Sequence, residues 1–339
     1  YSVKHQKGSK TSISDNIVYC IFQDSGNNLW IGTADGGLNY IKAGDITNEN
    51  IREDKLPFQQ LTPQTYPPLI SRDVRCIHED NKKRIWVGTA DGINVISQNG
   101  TILRTYQSSD NQQIISDNEI QCIFQDTSGD IWIGTYRGLN RYHAGSENFT
   151  IYLSGSNDQN SLPSNSIYAI VEDSEQCLWI GTDGGLCKVN KERNKFITYT
   201  SDDGLPNNVV YGIIKDEENN LWISTNNGLA KIVKQHDTQK ISCVSYSTKN
   251  WLHCNAFNIG AYHKNDDGVL FFGCNDGLTY FHPENIKGNN YKPPVVITDF
   301  QLFFEPVEIS QDNSTPLSKH ISETDKIVLN YKQKTLYFE

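Results

Sequence analysis

The side chains that most often carry chemistry are spread along this 339-residue sequence without clustering. Nucleophilic catalysis needs a serine or cysteine beside a histidine and a carboxylate, and the eight histidines show no recurring spacing of that kind. Pairs of carboxylates suited to acid–base work do not recur either. We therefore expect this chain to bind a molecule rather than transform it, and no catalytic residue is predicted.

The eight cysteines are equally unsuited to hold a metal. The sequence has no Cys-x-x-Cys motif and no histidine–cysteine spacing of the kind found in zinc sites. The acidic turn Asp266-Asp267-Gly268 is similar to a weak calcium loop, although a hydrogen-bonded turn accounts for it more simply. No metal and no cofactor is expected. Four less constrained cysteines are expected to remain thiols: Cys177, Cys187, Cys243 and Cys254.

A sequence unit recurs every 43–56 residues, a length that suits four short strands and their turns. Five copies read Leu/Ile-Trp-Ile/Val-Gly/Ser-Thr, with the tryptophan at Trp30, Trp86, Trp132, Trp179 and Trp222. A sixth copy, at residues 270–274, has phenylalanine in place of tryptophan and Cys274 in place of threonine. A unit of this length is typical of one blade of a β-propeller, so the tryptophans are expected in the core.

Other positions repeat at fixed distances from the tryptophan. An acid or its amide lies six residues before the aromatic residue: Asp24, Asp80, Asp126, Asp173, Asp216 and Asn265. A glycine follows the motif: Gly36, Gly92, Gly138, Gly185, Gly228 and Gly277. The acid is typical of a polar turn and the glycine of a tight hairpin that needs positive φ. Each unit is therefore predicted to form four antiparallel strands.

A small residue lies four positions before each acid: Cys20, Cys76, Cys122, Ala169, Gly212 and Ala261. Innermost strands converge on the axis of a propeller, where small side chains are needed. The inner strands are predicted at residues 18–23, 74–79, 120–125, 167–172, 209–215 and 259–264. We expect the three cysteines of this set to be buried and unpaired. The isoleucines that follow are expected to pack between blades: Ile21, Ile77, Ile123, Ile170 and Ile213.

The sequence predicts an all-β fold with two domains. A β-propeller of four-stranded blades is expected over residues 1–290, with blades at about 14–55, 71–107, 117–153, 164–200, 207–247 and 255–286. Residues 291–339 are expected to begin a β-sandwich, with a proline-containing linker at 292–294 and strands near 327–331 and 335–338. Tyr1 aligns with the end of an outer strand, so the chain is expected to be a fragment of a larger protein.

The repeated pattern Asp-x-x-Gly-x-Leu-Trp-Ile-Gly-Thr-x-x-Gly-Leu resembles the two-component regulator propeller repeat. The tail, Pro-Pro-Val-Val-Ile-Thr-Asp-Phe at 293–300 and Leu-Asn-Tyr-Lys-Gln at 329–333, resembles the immunoglobulin-like domain that follows such repeats. The resemblance covers essentially the whole chain. It departs from the family in one respect, because six units stand where the family's second propeller has seven. A seventh blade is therefore expected upstream of residue 1.

This resemblance implies a periplasmic sensor domain of a hybrid two-component histidine kinase and response regulator, as in gut Bacteroides and its relatives. In that family the propellers and the immunoglobulin-like domain precede a membrane helix, a kinase, a receiver and a DNA-binding domain. The implied ligands are glycan-derived oligosaccharides, and the implied output is control of polysaccharide-utilisation genes. We expect the full receptor to be a homodimer that meets the membrane only through a transmembrane helix outside this chain.

Two alternative functions stay open. A propeller lyase or hydrolase, as in virginiamycin-lyase-like proteins, would need a histidine and a carboxylate together on the axis, whereas the axial loops offer acids and no histidine. A scaffold that binds proteins and no small molecule is the other alternative. The net charge of −10 argues against nucleic-acid binding, which favours basic surfaces.

The candidate ligand residues lie in loops predicted to share one end of the axis. Tyr136 and Arg137 offer a ring and a guanidinium where other units carry acids or amides. Trp251 lies off the repeat positions, in a loop with His253, and an exposed tryptophan suits stacking on a sugar, with packing at the rim as the alternative. The predicted ligand-binding residues are Trp251, His253, Tyr136, Arg137, Asp183 and Asn226.

Overall fold

The computed structural model describes residues 3–6, 8–9, 11–47, 56–65, 67–109, 114–155, 160–234, 241–249, 251–286, 297–310 and 314–338. The chain divides into two compact units, Tyr1–Ile286 and Lys287–Glu339. The predicted all-β fold is confirmed, since the regular structure in these ranges is β-sheet apart from four single-turn 3-10 helices. These are Ala43–Asp45, Ser201–Asp203, Pro283–Asn285 and Ile321–Glu323. None of the described helices is long and apolar enough to span a membrane. Tyr1 and the linker at 292–294 lie outside the described residues.

The first unit contains six antiparallel sheets whose strands pair in chain order, as in propeller blades. The inner strands are Val18–Gln23, Val74–Glu79, Ile120–Gln125, Ile167–Glu172, Val210–Lys215 and Phe257–Lys264. The second strands are Leu29–Thr33, Arg84–Thr89, Ile131–Thr135, Leu178–Thr182, Leu221–Thr225 and Leu270–Cys274. Four inner strands begin and end where the sequence predicts, and the other two differ only in their first residue.

The two remaining positions in each sheet follow the same order. The third strands are Leu38–Ile41, Gly92–Ser97, Gly138–Tyr142, Leu186–Val189, Gly228–Lys234 and Gly277–Phe281. The outer strands are Gln59–Leu61, Ile102–Tyr106, Phe149–Tyr152, Phe196–Tyr199 and Ile241–Tyr246. The sixth sheet has three strands among the described residues.

The repeated acid connects the first turn of each sheet to its tryptophan. In the first sheet, Asp24 Oδ1 accepts hydrogen bonds from the backbone N–H groups of Gly26 and Asn28 at 2.9 and 2.8 Å. Its Oδ2 atom accepts the indole N–H of Trp30 at 2.8 Å. The next four sheets repeat the indole bond at 2.7–3.0 Å. One buried carboxylate therefore fixes both the turn and the orientation of the ring.

The glycine of the second hairpin has positive φ, as predicted, with φ of 124° at Gly92. The first sheet differs, because Gly37 and not Gly36 has the positive φ, at 84°. The hydroxyl of Thr33 donates to the carbonyl of Gly37, just as the hydroxyl of Thr89 donates to that of Gly92, both at 2.8 Å. The first hairpin is therefore one residue longer than the repeat suggests.

The core lies between successive sheets, and all five repeat tryptophans are buried there, as predicted. Trp30, for example, packs in one cluster with Val74 and Val87 of the next sheet. The isoleucines on the opposite face behave unequally. Ile170 and Ile213 are buried and Ile77 and Ile123 are half-buried, but Ile21 is 66% exposed. The prediction is wrong for Ile21, because no described sheet covers that part of the first blade, and the expected seventh blade stays a prediction.

Cys20, Cys76 and Cys122 form no disulfide, as predicted. Cys122 is buried, whereas Cys20 and Cys76 are only half-buried as whole residues. Burial of the sulfur atom nevertheless raises the pKa of the Cys20 thiol to about 12. All three therefore behave as small apolar side chains.

One cysteine prediction is wrong. Cys254, expected to be a thiol, forms a disulfide with Cys274. The pair meets because Cys274 ends the second strand of the sixth sheet and pairs in register with Phe257, directly after the loop that carries Cys254. The other three cysteines of that group form no disulfide: Cys177, Cys187 and Cys243.

The second unit, taken by itself, has a small sheet of Phe300–Leu302, Glu305–Pro306 and Leu336–Phe338. Phe300, Leu317 and Ile321 form its buried core. The strand predicted near 335–338 is present in shortened form, but residues 327–331 form no strand. The assignment of this unit to an immunoglobulin-like β-sandwich stays a prediction.

Candidate functional site

A β-bulge opens the inner strand of each complete blade. In the first sheet, Val18 pairs with Thr33 and Cys20 with Gly32, so that Tyr19 is the extra residue. The same register shift recurs in the next four sheets. The bulged residues are Tyr19, Arg75, Gln121, Tyr168 and Tyr211. A bulge redirects its side chain, and bulges are common beside functional sites.

The sixth sheet carries a longer irregularity at the same place. Its register is lost between Phe257 and Tyr262, and Gly260 adopts a positive φ of 70°. A residue with a side chain would be strained at Gly260. This irregular segment thus lies where each of the other five sheets has a single bulged residue.

The bulged residues of the first three sheets border a cavity of about 260 Å³, which is lined by Tyr19, Arg75, Gln121, Tyr136, Ile259 and Gly260. The lining residues come from the first, second, third and sixth sheets, so the cavity lies on the axis where the inner strands converge. Its volume is somewhat below the roughly 300–1,000 Å³ of small-molecule pockets. We therefore expect it to hold one end of a larger ligand.

Aromatic rings continue the wall of this axial cavity. Tyr136 meets Tyr168 edge-to-face, with ring centroids 6.3 Å apart, and Tyr168 meets Tyr211 in the same way at 5.4 Å. Burial, together with the negative charge of Asp183, raises the pKa of Tyr168. Tyrosine presents both an apolar face and a hydroxyl, so this wall can pack against a ring while exchanging hydrogen bonds with it.

Arg75 is the charged side chain in the lining. Its Nε and Nη2 atoms donate to the two carboxylate oxygens of Asp73, both at 3.2 Å, and Nη1 donates to Glu119 at 3.0 Å. Burial alone would lower the pKa of Arg75, but these hydrogen bonds outweigh it and the pKa is raised. The guanidinium is therefore held in place and stays charged.

Gln121 supplies an uncommitted donor in the same lining. Its Nε2 atom is buried and has no hydrogen-bond partner within the described part of the chain. Buried polar groups are nearly always paired, so such an atom asks for an explanation. An oxygen acceptor of a bound molecule would satisfy it if the amide turned toward the cavity.

The predicted ligand residues separate into two groups. Tyr136 lines the cavity. Arg137, Asp183 and Asn226 are exposed in the corresponding loops of the third, fourth and fifth sheets, at the same end of the blades. The backbone N–H of Arg137 donates to the hydroxyl of Thr135, and that of Asn226 donates to the carbonyl of Val209. These bonds fix the backbone of the two loops.

Trp251 and His253 lie elsewhere. Trp251 is 37% exposed and packs against Phe281 and Tyr246, with ring centroids 5.0 and 5.7 Å apart. Tyr246 belongs to the outer strand of the fifth sheet, so this contact is away from the inner strands that form the axial cavity. His253 is exposed in the same loop. A role for this pair in binding stays a prediction.

Sequence reasoning missed all five bulged residues. Each lies directly before the repeated small residue, and its type varies among tyrosine, arginine and glutamine, whereas the residue before it is always valine or isoleucine. A variable position inside a strict repeat was the signal that could have found them.

The described residues contain one group of potential metal-ligating atoms, from Asp173, Glu175 and Cys177. Asp173 Oδ1 already accepts the backbone N–H groups of Glu175 and Cys177, both at 2.9 Å, and Oδ2 accepts the indole of Trp179. This is the acidic turn of the repeat, so the group is explained by the fold.

Comparison with known proteins agrees with this architecture. Five segments match the family model described as the two component regulator propeller, at residues 12–35, 68–91, 114–137, 161–184 and 204–227. Five of the six blades thus carry two-component regulator propeller repeats, which confirms the resemblance of these units seen in the sequence.

Among solved structures, the chain is similar to the extracellular domain of a putative hybrid two-component system from B. thetaiotaomicron. The two share 28% identity with a TM-score of 0.70, over 88% of this chain and 39% of that one. A second such domain from the same organism is 19% identical, with a TM-score of 0.55 over 100% of this chain and 55% of that one.

Two further relatives complete the comparison. A histidine kinase of Formosa agariphila is 34% identical over 86 residues, which are 25% of this chain and 6% of that protein. Virginiamycin B lyase of Staphylococcus aureus is 16% identical, with a TM-score of 0.57 over 82% of this chain and 88% of that one, and shares the fold alone. The chain spans less than half of the two-component relative to which it is 28% identical.

Proposed function

We propose that this chain is a ligand-sensing domain of a hybrid two-component system and that its axial cavity binds a glycan-derived oligosaccharide. The likeness to extracellular domains of such systems supports the sensing role. The observation that carries the proposal is the set of bulges, since the first three blades turn a tyrosine, an arginine and a glutamine toward one cavity. Binding residues are commonly varied side chains that a rigid scaffold holds in position, as the blades do here.

The cavity chemistry favours a sugar. Tyrosine faces can stack on the apolar face of a pyranose, while the amide of Gln121 and the guanidinium of Arg75 can bond its hydroxyls. Small-molecule sites commonly combine such an apolar wall with a few placed polar groups.

The proposed location is the periplasm, on the outer side of an inner-membrane receptor. The disulfide between Cys254 and Cys274 supports an oxidising compartment, because cytosolic proteins seldom keep structural disulfides. A membrane helix outside this chain would carry the signal to a histidine kinase that controls polysaccharide-utilisation genes.

The proposed signal is a movement of whole domains within a receptor dimer. Each blade packs on the next through a buried core, so large changes inside the propeller are disfavoured. We expect the second unit and its dimer partner to be displaced on ligand binding while the blades superpose closely. X-ray scattering of the full periplasmic region with and without sugar tests this, and blades that rearrange within a fixed dimer would contradict it.

A lyase or hydrolase activity is the alternative from the enzyme class. The residues that line the cavity include no histidine, so the acid–base pair that this alternative needs is not assembled there. A protein-binding scaffold is the second alternative, and it predicts no small-molecule binding.

Isothermal titration calorimetry against a panel of plant, host and microbial oligosaccharides tests the proposal. We expect saturable binding of one class with one site per chain and no change in the sugar afterwards, checked by chromatography. Cleavage of the sugar would support the enzyme alternative. Absence of heat with every member of the panel would support the scaffold.

A further inference from the structure

The electrostatics of the axial cavity point to the charge of its ligand. Arg75 is the charged residue among those that line the cavity. Its guanidinium already faces two carboxylates, Asp73 at 3.2 Å and Glu119 at 3.0 Å. The three side chains together carry one net negative charge, so Arg75 does not offer an uncompensated cation to a ligand.

The loops at this end of the blades add further negative charge. Acidic side chains occupy the entry loops or the second-to-third-strand loops of four sheets: Asp15, Asp35, Asp91, Asp117 and Asp183. The backbone N–H of Asp35 donates to Asp15 Oδ2 at 3.1 Å, which places the two kinds of loop side by side. Arg72 and Arg137 are bases in the same set of loops, and their two charges do not balance the five acids. A cleft lined by one sign of charge repels ligands of that sign.

Arg75 nevertheless keeps hydrogen-bonding capacity. A guanidinium has five N–H donors, and the contacts to Asp73 and Glu119 use three of them. The other two can donate to hydroxyl or ring oxygens of a ligand. Neutral sugars can accept all of these bonds without bringing a charge into the negative region.

Resting on the proposed sensing function, we propose that the axial cavity selects uncharged oligosaccharides and rejects those that carry uronate or sulfate groups. An anionic residue would have to displace Asp73 or Glu119 from Arg75 or lie beside them. Either arrangement leaves like charges close together in a partly buried site.

The test uses matched sugars that differ at C6, where the neutral member has a hydroxymethyl group and the acidic member a carboxylate. Calorimetry compares α-1,4-linked galactotriose with trigalacturonic acid, and β-1,4-linked mannotriose with the corresponding mannuronic acid trisaccharide. We expect the neutral member of at least one pair to bind more than tenfold more tightly at low ionic strength. The difference should shrink as salt is added, because screening weakens the repulsion.

A charge variant sharpens the comparison. Asp73→Asn combined with Glu119→Gln frees Arg75, and it should reduce the preference for the neutral sugar about tenfold or more. Glu175→Gln combined with Asp266→Asn is the matched control, since both acids are exposed in the turns at the opposite end of the blades. The control should keep the wild-type preference.

The outcomes separate this inference from the sensing function. Uronates that bind as tightly as neutral sugars would overturn the charge selection and leave sensing intact. Failure of every sugar to bind would overturn both. The salt dependence of the wild-type protein decides the matter even where the double variant does not fold.

Discussion

The indole N–H of Trp132 donates a 2.8 Å hydrogen bond to the Oδ2 atom of Asp126, inside the core between the third and fourth sheets. The same oxygen lies 3.3 Å from Arg193 of the fourth sheet, and Arg193 also bonds Glu172 at 2.7 Å. The Asp126 carboxylate therefore bonds the turn that follows it, the tryptophan of its own blade and an arginine of the next blade.

Acid should unfold the propeller through such carboxylates. Burial opposes ionisation of Asp126, but hydrogen bonds from Ser128 and Trp132 and the charge of Arg193 outweigh it, and the pKa is lowered. The pKa of Asp80 is lowered in the same way. A carboxyl with a lowered folded-state pKa stabilises the fold above its unfolded pKa of about 3.9, and this stability is lost as the pH falls further.

Thermal unfolding measured from pH 3 to pH 7 checks this. The melting temperature should fall steeply below about pH 4. Asp126→Asn should lower the free energy of unfolding by about 1–3 kcal/mol at pH 7. It should also make the fall of the melting temperature below about pH 4 less steep. Asp266→Asn, an exposed acid in an equivalent turn, is the control and should change little. If the melting temperature of Asp126→Asn falls below pH 4 as steeply as that of the wild-type protein, the stabilising role of the Asp126 carboxylate is contradicted.

The disulfide should hold the irregular sixth blade. Cys254 and Cys274 are separated by 20 residues, and they enclose the segment at 258–260 that reaches the axial cavity. Cys254→Ser combined with Cys274→Thr restores the threonine of the other blades, where Thr225 donates to the carbonyl of Gly228 at 2.8 Å. Closing a loop of this length contributes about 2–4 kcal/mol.

Melting curves with and without reductant measure this contribution. Reductant should lower the melting temperature of the wild-type protein and leave that of the double variant unchanged. Equal melting temperatures for the reduced and oxidised wild-type protein would show that the bridge is not structural.

The thiols of Cys20, Cys76 and Cys122 should be unreactive in the native protein. Burial raises the pKa of the Cys20 and Cys122 thiols to about 12, and raises that of Cys76 well above its usual value. Thiolate is the reactive form, so alkylation at pH 8 should be very slow at these positions. Mass spectrometry after timed iodoacetamide treatment checks this. Labelling of Cys76 as fast as in denatured protein would contradict the packing.

The blades could be predicted closely because the repeat fixes its own register. The acid and the tryptophan six residues later are joined by a hydrogen bond, so the spacing that marks the sequence also sets the hairpin. The sixth unit has Asn265 and Phe271 instead, and it contains two features the sequence did not reveal. These are the extended irregularity before Tyr262 and the disulfide of Cys274. Neither follows from spacing, because both depend on the local course of the chain between Cys254 and Tyr262.

The site was predicted less well than the fold. Tyr136 lies in the cavity because its loop was assigned to the correct end of the blade. The bulged residues were overlooked because regular alternation would place Tyr168 on one face of its sheet. Tyr168 is instead the extra residue of a bulge, which redirects its side chain toward the axis. Trp251 attracted attention by its type, yet it packs on Phe281.

Substitution should distinguish these two candidate surfaces. Tyr168→Ala removes the middle ring of the aromatic wall and should weaken oligosaccharide binding about tenfold or more, which corresponds to about 1.4 kcal/mol. Trp251→Ala should change affinity less than threefold. Tyr280→Ala, an exposed tyrosine on the third strand of the sixth sheet, is the control. Calorimetry measures the affinity of all three variants. A larger loss of affinity in Trp251→Ala than in Tyr168→Ala would place the binding site at Trp251 and not in the axial cavity.

The most direct measurement is a crystal structure of this protein bound to the oligosaccharide that binds most tightly in the calorimetric panel. The sugar should lie in the axial cavity, with one residue against Tyr168 and an oxygen within hydrogen-bond distance of Gln121 Nε2. Its hydroxyls should also meet Arg75 without displacing Asp73. A sugar bound at Trp251 or on the outer strands, with the axial cavity left to solvent, would contradict the account.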